Sequence, residues 1–178
     1  LFRAKLPFNN VFSMAVASDG AVWAGSDGGG LARLHDEDLQ VFTTDNSELP
    51  KNYVSSVAVG SDGAVWAGTM GGLVRVHGGK WQVFTGLNSK LPSDSVTSVA
   101  AASDGAMWIG TWKGLTRLDE DAILDPEDQG NWQIFNVKNS ELPISHVVTV
   151  AVATNGAVWD GTWCGLARWY KGDCVGVH

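Results

Sequence analysis

Two tryptophans, Trp112 and Trp163, each follow a Gly-Thr pair and stand two residues before a turn glycine. Packing does not ask for an indole at a turn tip, and large apolar side chains there suit recognition. An indole face stacks readily on a sugar ring. The same position elsewhere in the chain holds Asp27 and Met70. A second set of residues, each just ahead of an apolar run, comprises Asn10, Tyr53, Ser95 and His146. Polar neighbours of this kind fix hydroxyl groups. Trp112, Trp163, Met70, Asp27, Tyr53, His146 and Asn10 therefore form the candidate ligand-binding set. The competing reading folds both indoles over adjacent structure, where they bind nothing.

Other chemistry finds little support. There is no nucleophile elbow, Walker loop or paired histidine ligand set. Of the four histidines, His35, His77, His146 and His178, only His146 falls near the tip tryptophans, and it is the one candidate for a general base. No catalytic residue, metal site or cofactor is expected. Residues 119–130 hold six carboxylates, but their spacing matches no cation loop, and a solvated acidic loop is the expectation. Net charge is −7 with 12 Lys plus Arg, so phosphate neutralisation, and nucleic acid with it, is set aside. No apolar run approaches the ~18 residues of a membrane span. The chain starts at Leu1 without a visible signal peptide, as a processed or excised segment would.

The tip residues recur because the whole chain does. Leu-Pro marks stand at Leu6, Leu49, Leu91 and Leu142, and a tryptophan follows each at Trp23, Trp66, Trp108 and Trp159. Such a period, rich in strand residues and turns, means stacked supersecondary units. In the second unit, Val54–Val59 reads as a strand, Asp62-Gly63 as a hairpin turn, and Ala64–Gly68 as the return. Leu73–Val76 and Lys80–Thr85 follow as third and fourth strands. These strands are apolar on both faces, so each four-stranded antiparallel sheet is expected to lie between neighbours. Sheets stacked radially make an all-β propeller, here with four blades at about 8–48, 51–90, 93–141 and 144–178 of a single 1–178 unit.

That order places the turn between second and third strands on one rim, beside the Leu-Pro connections. The other two turns take the opposite rim. Arg33, Arg75, Arg117 and Arg168 recur in Gly-Leu-x-Arg and are expected to make a repeated ion pair or cation–π contact. The hairpin at Lys171-Gly172 would pair Trp169 with Cys174. Cys164 then lies about five residues along the neighbouring strand, roughly 15 Å away at ~3.3 Å per residue, beyond the reach of a disulfide.

The string Leu-Pro-x-x-x-Val-x-x-Val-Ala, followed by Asp-Gly-x-x-Trp-x-Gly-Thr-x-x-Gly-Leu-x-Arg, resembles the two-component regulator propeller repeat. That resemblance implies an exported bacterial protein, periplasmic or extracellular, in which the propeller acts as a non-catalytic sensor or ligand-binding module. Family propellers have seven or more blades, whereas four are written here. Asp-Gly-x-x-Trp is also similar, more weakly, to the virginiamycin B lyase propellers, which would make His146 a base. A protein–protein scaffold is the remaining alternative. From fourth strand to the next Leu-Pro is ten residues (Leu39 to Leu49, Trp81 to Leu91), and the same spacing would hold if His178 were joined to Leu1. The blades are thus whole, and closure by four, by a longer protein, or by two chains in a ring of eight is open, the homodimer being favoured. The expected partner is a small-molecule or glycan ligand.

Overall fold

The computed structural model of the protein describes Leu6, Phe8, residues 10–119 and 132–170, and the backbone of 173–177. These residues form sixteen strands in four sheets, each antiparallel and each in chain order. The first sheet holds β1 Val11–Val16, β2 Val22–Ser26, β3 Leu31–His35 and β4 Asp38–Phe42. The second holds β5 Val54–Val59, β6 Val65–Thr69, β7 Gly72–His77 and β8 Lys80–Phe84. In the third are β9 Val96–Ala101, β10 Met107–Thr111, β11 Gly114–Leu118 and β12 Trp132–Phe135. The fourth contains β13 Val147–Val152, β14 Val158–Thr162, β15 Gly165–Tyr170 and β16 Asp173–Val177. The all-β blade architecture read from the repeat is the one observed. The acidic insertion lies outside the described residues except for Asp119, whose carboxylate meets Arg117.

Each sequence mark does a local job. Gly63 adopts φ +79°, and the Asp62 carboxylate accepts the Ala64 N–H at 2.9 Å, closing the first hairpin. The other carboxylate oxygen holds Arg75, 2.5 Å away, and the guanidinium lies 5.8 Å from the Trp66 ring centroid. Arg33 with Asp19 and Arg117 with Asp104 repeat the ion pair. Arg33, Arg75 and Arg117 are therefore structural. At the blade connection, Asn88 accepts the Thr85 N–H and donates to the Val83 carbonyl, while Ser89 donates to the Thr85 carbonyl. This web fixes the path into the buried Leu91.

The core lies between sheets, one cluster per junction. Leu31, Val57 and Val74 lie in the first, Leu73, Val99 and Ile109 in the second, and Leu115, Val150 and Val158 in the third. Trp66 stacks on Phe84 at 5.9 Å, and Phe84 meets Trp132 of the next sheet at 5.8 Å. Trp23 and Phe42 do the same against Trp81. Principal contacts between sheets join the first strands, β1 to β5, β5 to β9 and β9 to β13, which therefore line the axis. The outer faces of the first and fourth sheets stay exposed, so the four blades form an open arc.

Candidate functional site

The tip residues are held by the Gly-Thr mark. The Thr111 hydroxyl donates to the Gly114 carbonyl at 2.9 Å and accepts the Lys113 N–H at 3.1 Å. Thr162 makes the same two bonds to Gly165 and Cys164. A side chain that spans its own turn in this way leaves the residue between, Trp112 or Trp163, projecting from the rim. In the first three blades the residue ahead of the first strand is brought beside the tip by a backbone bond. Asp27 N–H donates to the Asn10 carbonyl, Met70 to Tyr53, and Trp112 to Ser95.

Three of the seven candidate residues meet as a stack. The His146 ring lies 4.7 Å from the Trp163 ring, nearly parallel at 27°, and 5.3 Å from Trp112 at 36°. Trp112 comes from the third blade, and His146 and Trp163 come from the fourth, so the stack bridges a blade junction. Its outer indoles are open to solvent: Trp163 is 76% exposed and Trp112 48%. Beside Trp112 lies a cleft of about 310 Å³ lined by Lys113, Asn136, Val137, Lys138 and Ser145. Lys113 and Lys138 bring two cationic side chains to this lining.

The other four candidates are placed elsewhere on this rim. Tyr53 packs against Phe12 at 5.3 Å and receives Met70 through its backbone. Asn10 and Asp27 form an exposed pair on the first blade. None of these four is in contact with the His146 stack. Sequence reading missed the two lysines and Phe12. Lys113 sits next to a tip tryptophan, so its place was legible, but Lys138 comes from the connecting loop.

A carboxylate unforeseen in the sequence lies under the same junction. Asp160 occupies the position of Ala24, Ala67 and Ile109, is fully buried, and accepts the Trp169 indole N–H at 2.6 Å. Its second oxygen has no hydrogen-bond partner. Burial raises its pKa to about 6, against the pull of the indole hydrogen bond. The rim carboxylates go the other way. Burial pulls Asp62 and Asp104 upward, but the backbone N–H and the arginine outweigh it and both lie below the usual range.

On the opposite rim, a cleft of about 420 Å³ opens between the third and fourth blades at Trp108, Arg117 and Trp169. A cleft of about 550 Å³ sits at the same place between the first and second, at Trp23, Arg33 and Trp81. Its recurrence marks it as part of blade packing. Cys164 is free and exposed, and Trp169 pairs with Cys174 across the last hairpin, as the spacing required.

The two component regulator propeller profile matches residues 5–28, 48–71 and 90–113, each running from the Leu-Pro connection through the tip residue. Three stretches of the chain thus match the two-component regulator propeller repeat. Solved propellers share the fold. The extracellular domain of the BT4673 system from B. thetaiotaomicron superposes with a TM-score of 0.77 at 16% identity, over 95% of this chain and 25% of that one. That of the BT3049 hybrid two component system from the same organism gives 0.68 at 19%, over 99% and 30%. Virginiamycin B lyase from Staphylococcus aureus gives 0.71 at 15%, over 94% and 55%. The chain thus spans about a quarter of the sensor domains and about half of the lyase. No curated protein matches it.

Proposed function

We propose that this two-component regulator propeller is a non-catalytic recognition module of an exported sensor-type protein, and that it binds a glycan or its fragments on the rim between the third and fourth blades. The observation that carries the reading is the three-ring stack, with His146 between two solvent-open indoles. Leaving such rings in water gains nothing for the fold, whereas a sugar's apolar face stacks on an exposed indole. His146 braces both rings, so the platform is pre-organised and less entropy is lost on binding. Lys113 and Lys138 edge the adjoining cleft, which favours sugars carrying carboxylate or sulfate. An extracellular or periplasmic setting agrees with this reading, since the compared sensor domains are extracellular.

Titration with acidic and neutral oligosaccharides, followed by tryptophan fluorescence, tests the assignment. An acidic oligosaccharide should change the emission saturably. Trp163→Ala and Trp112→Ala should each weaken the response at least tenfold, with His146→Ala between them and the wild type. A response unaltered by both tryptophan substitutions refutes it.

A further inference from the structure

The open arc ends in two unlike faces. At every internal junction, the first-strand residues Val57, Val99 and Val150 are 5–7% exposed, yet Met14 at the same position of the first blade is 67% exposed. Leu31, Leu73 and Leu115 are fully buried against the following blade, yet their equivalent Leu166 is 47% exposed. Trp159 is likewise the one exposed member of its tryptophan series. Contiguous apolar surface of this kind marks an interaction site.

The two faces are halves of the junction already built three times. Inside the chain, Val57 N–H donates to the Ser13 hydroxyl, Val99 to Ser56 and Val150 to Ser98, at 2.9–3.0 Å. The unmatched halves are the Met14 N–H and the hydroxyl of Thr149, which occupies the Ser98 position. Glycine gives way to valine at each junction: a Cβ on Gly25, Gly68 or Gly110 would meet Val54, Val96 or Val147 of the next blade within 2.8 Å. Gly161 and the exposed Val11 are the corresponding unpaired members.

Charge distinguishes this pair of faces from the internal ones. Arg33, Arg75 and Arg117 each hold an aspartate in their own blade, but the fourth blade carries Asn155 at that position. Arg168 has no ion pair among the described residues, and its Nε is buried without a partner. At the first junction, Gly78 and Gly79 of the second blade line the cleft opposite Arg33. The first blade carries Asp36 and Glu37 at those positions, both exposed. Docking its leading face on the fourth blade's trailing face brings two carboxylates to the Arg168 guanidinium, which lies 5.6 Å from the Trp159 ring on that face.

From this complementarity we infer that a second copy of the chain covers both faces, first blade of one on fourth blade of the other. The seam then occurs twice and closes a two-fold ring of eight blades. Mass measurement on the 178-residue chain by light scattering decides it. Wild type should give twice the 18.9 kDa chain mass. Met14→Glu should give the single-chain mass, since Met14 is exposed in one chain and its change leaves the blade intact. Arg168→Glu should also give single chains, and adding Asp36→Lys with Glu37→Lys should restore the doubled mass. A single-chain mass for the wild type at high concentration overturns the inference and leaves these faces to other blades. So does a dimer indifferent to Met14→Glu, or a mass that grows past two copies.

Discussion

The fourth blade carries Cys174 where the second and third carry Trp81 and Trp132, so its last strand lacks the indole that meets the preceding blade's phenylalanine. Trp169 on the neighbouring strand fills that place, 4.4 Å from Phe135. An indole in a dry junction needs an acceptor, and Asp160 supplies one. The cost is a buried carboxylate with one oxygen unpaired. Asp160 holds its proton more tightly folded than unfolded. Its contribution to stability is therefore complete below its ordinary 3.8 and is lost as pH rises through about 6. Over that window the loss is about 3 kcal/mol, at 1.36 kcal/mol per pKa unit. Asp160→Asn keeps an acceptor for Trp169 and should raise the urea midpoint at pH 7 while leaving it nearly unchanged at pH 4. Asp19, Asp62 and Asp104 act in the opposite sense, since their lowered values give stability above the ordinary 3.8 that fades below it. Acid unfolding of Asp160→Asn should therefore still occur.

At the scale of the strand and turn, the marks that repeat are those that hold blades together. A Cβ on Gly68 would sit 2.7 Å from Val96 Cγ1 of the next sheet. Gly68→Ala should cost about 1–3 kcal/mol by overpacking, read as a lower urea midpoint. Gly63→Ala meets no neighbouring atom, so its loss, about 1 kcal/mol, comes from the φ of +79° alone. The Thr111 hydroxyl braces the turn that carries Trp112. Thr111→Val should lose about 1–3 kcal/mol by leaving buried partners unpaired. It should also weaken oligosaccharide binding several-fold, because the indole is no longer pre-set. The equivalent change at Thr69, which carries Met70, should lower stability without touching binding.

Across the whole molecule, what repeats was legible and what happens once was not. Asp-Gly or Asn-Gly before each second strand, Gly-Thr or Gly-Ser before each tip and Leu-Pro at each connection gave the sheets, their order and the rim shared by Trp112, Trp163 and His146. Antiparallel order alone put those three residues on one edge. It could not show that His146 leans between both indoles while Tyr53 turns to Phe12, because that depends on how adjacent blades are rotated about the axis. Asp160 was hidden for a related reason: its partner Trp169 is a neighbour only once register is known. Lys138 was hidden because the cleft joins a turn and a connection distant in sequence.

The chain has nine tryptophans, each with one indole N–H resonance, and seven of them sit away from the proposed platform. Following all nine by two-dimensional NMR during titration with an acidic oligosaccharide reads every candidate surface in a single experiment. The Trp112 and Trp163 signals should shift together and saturate, with Trp23, Trp66 and Trp108 unmoved. Shifts confined to those three, or to Trp159 on the open face, would contradict the assignment of the rim between the third and fourth blades as the binding site.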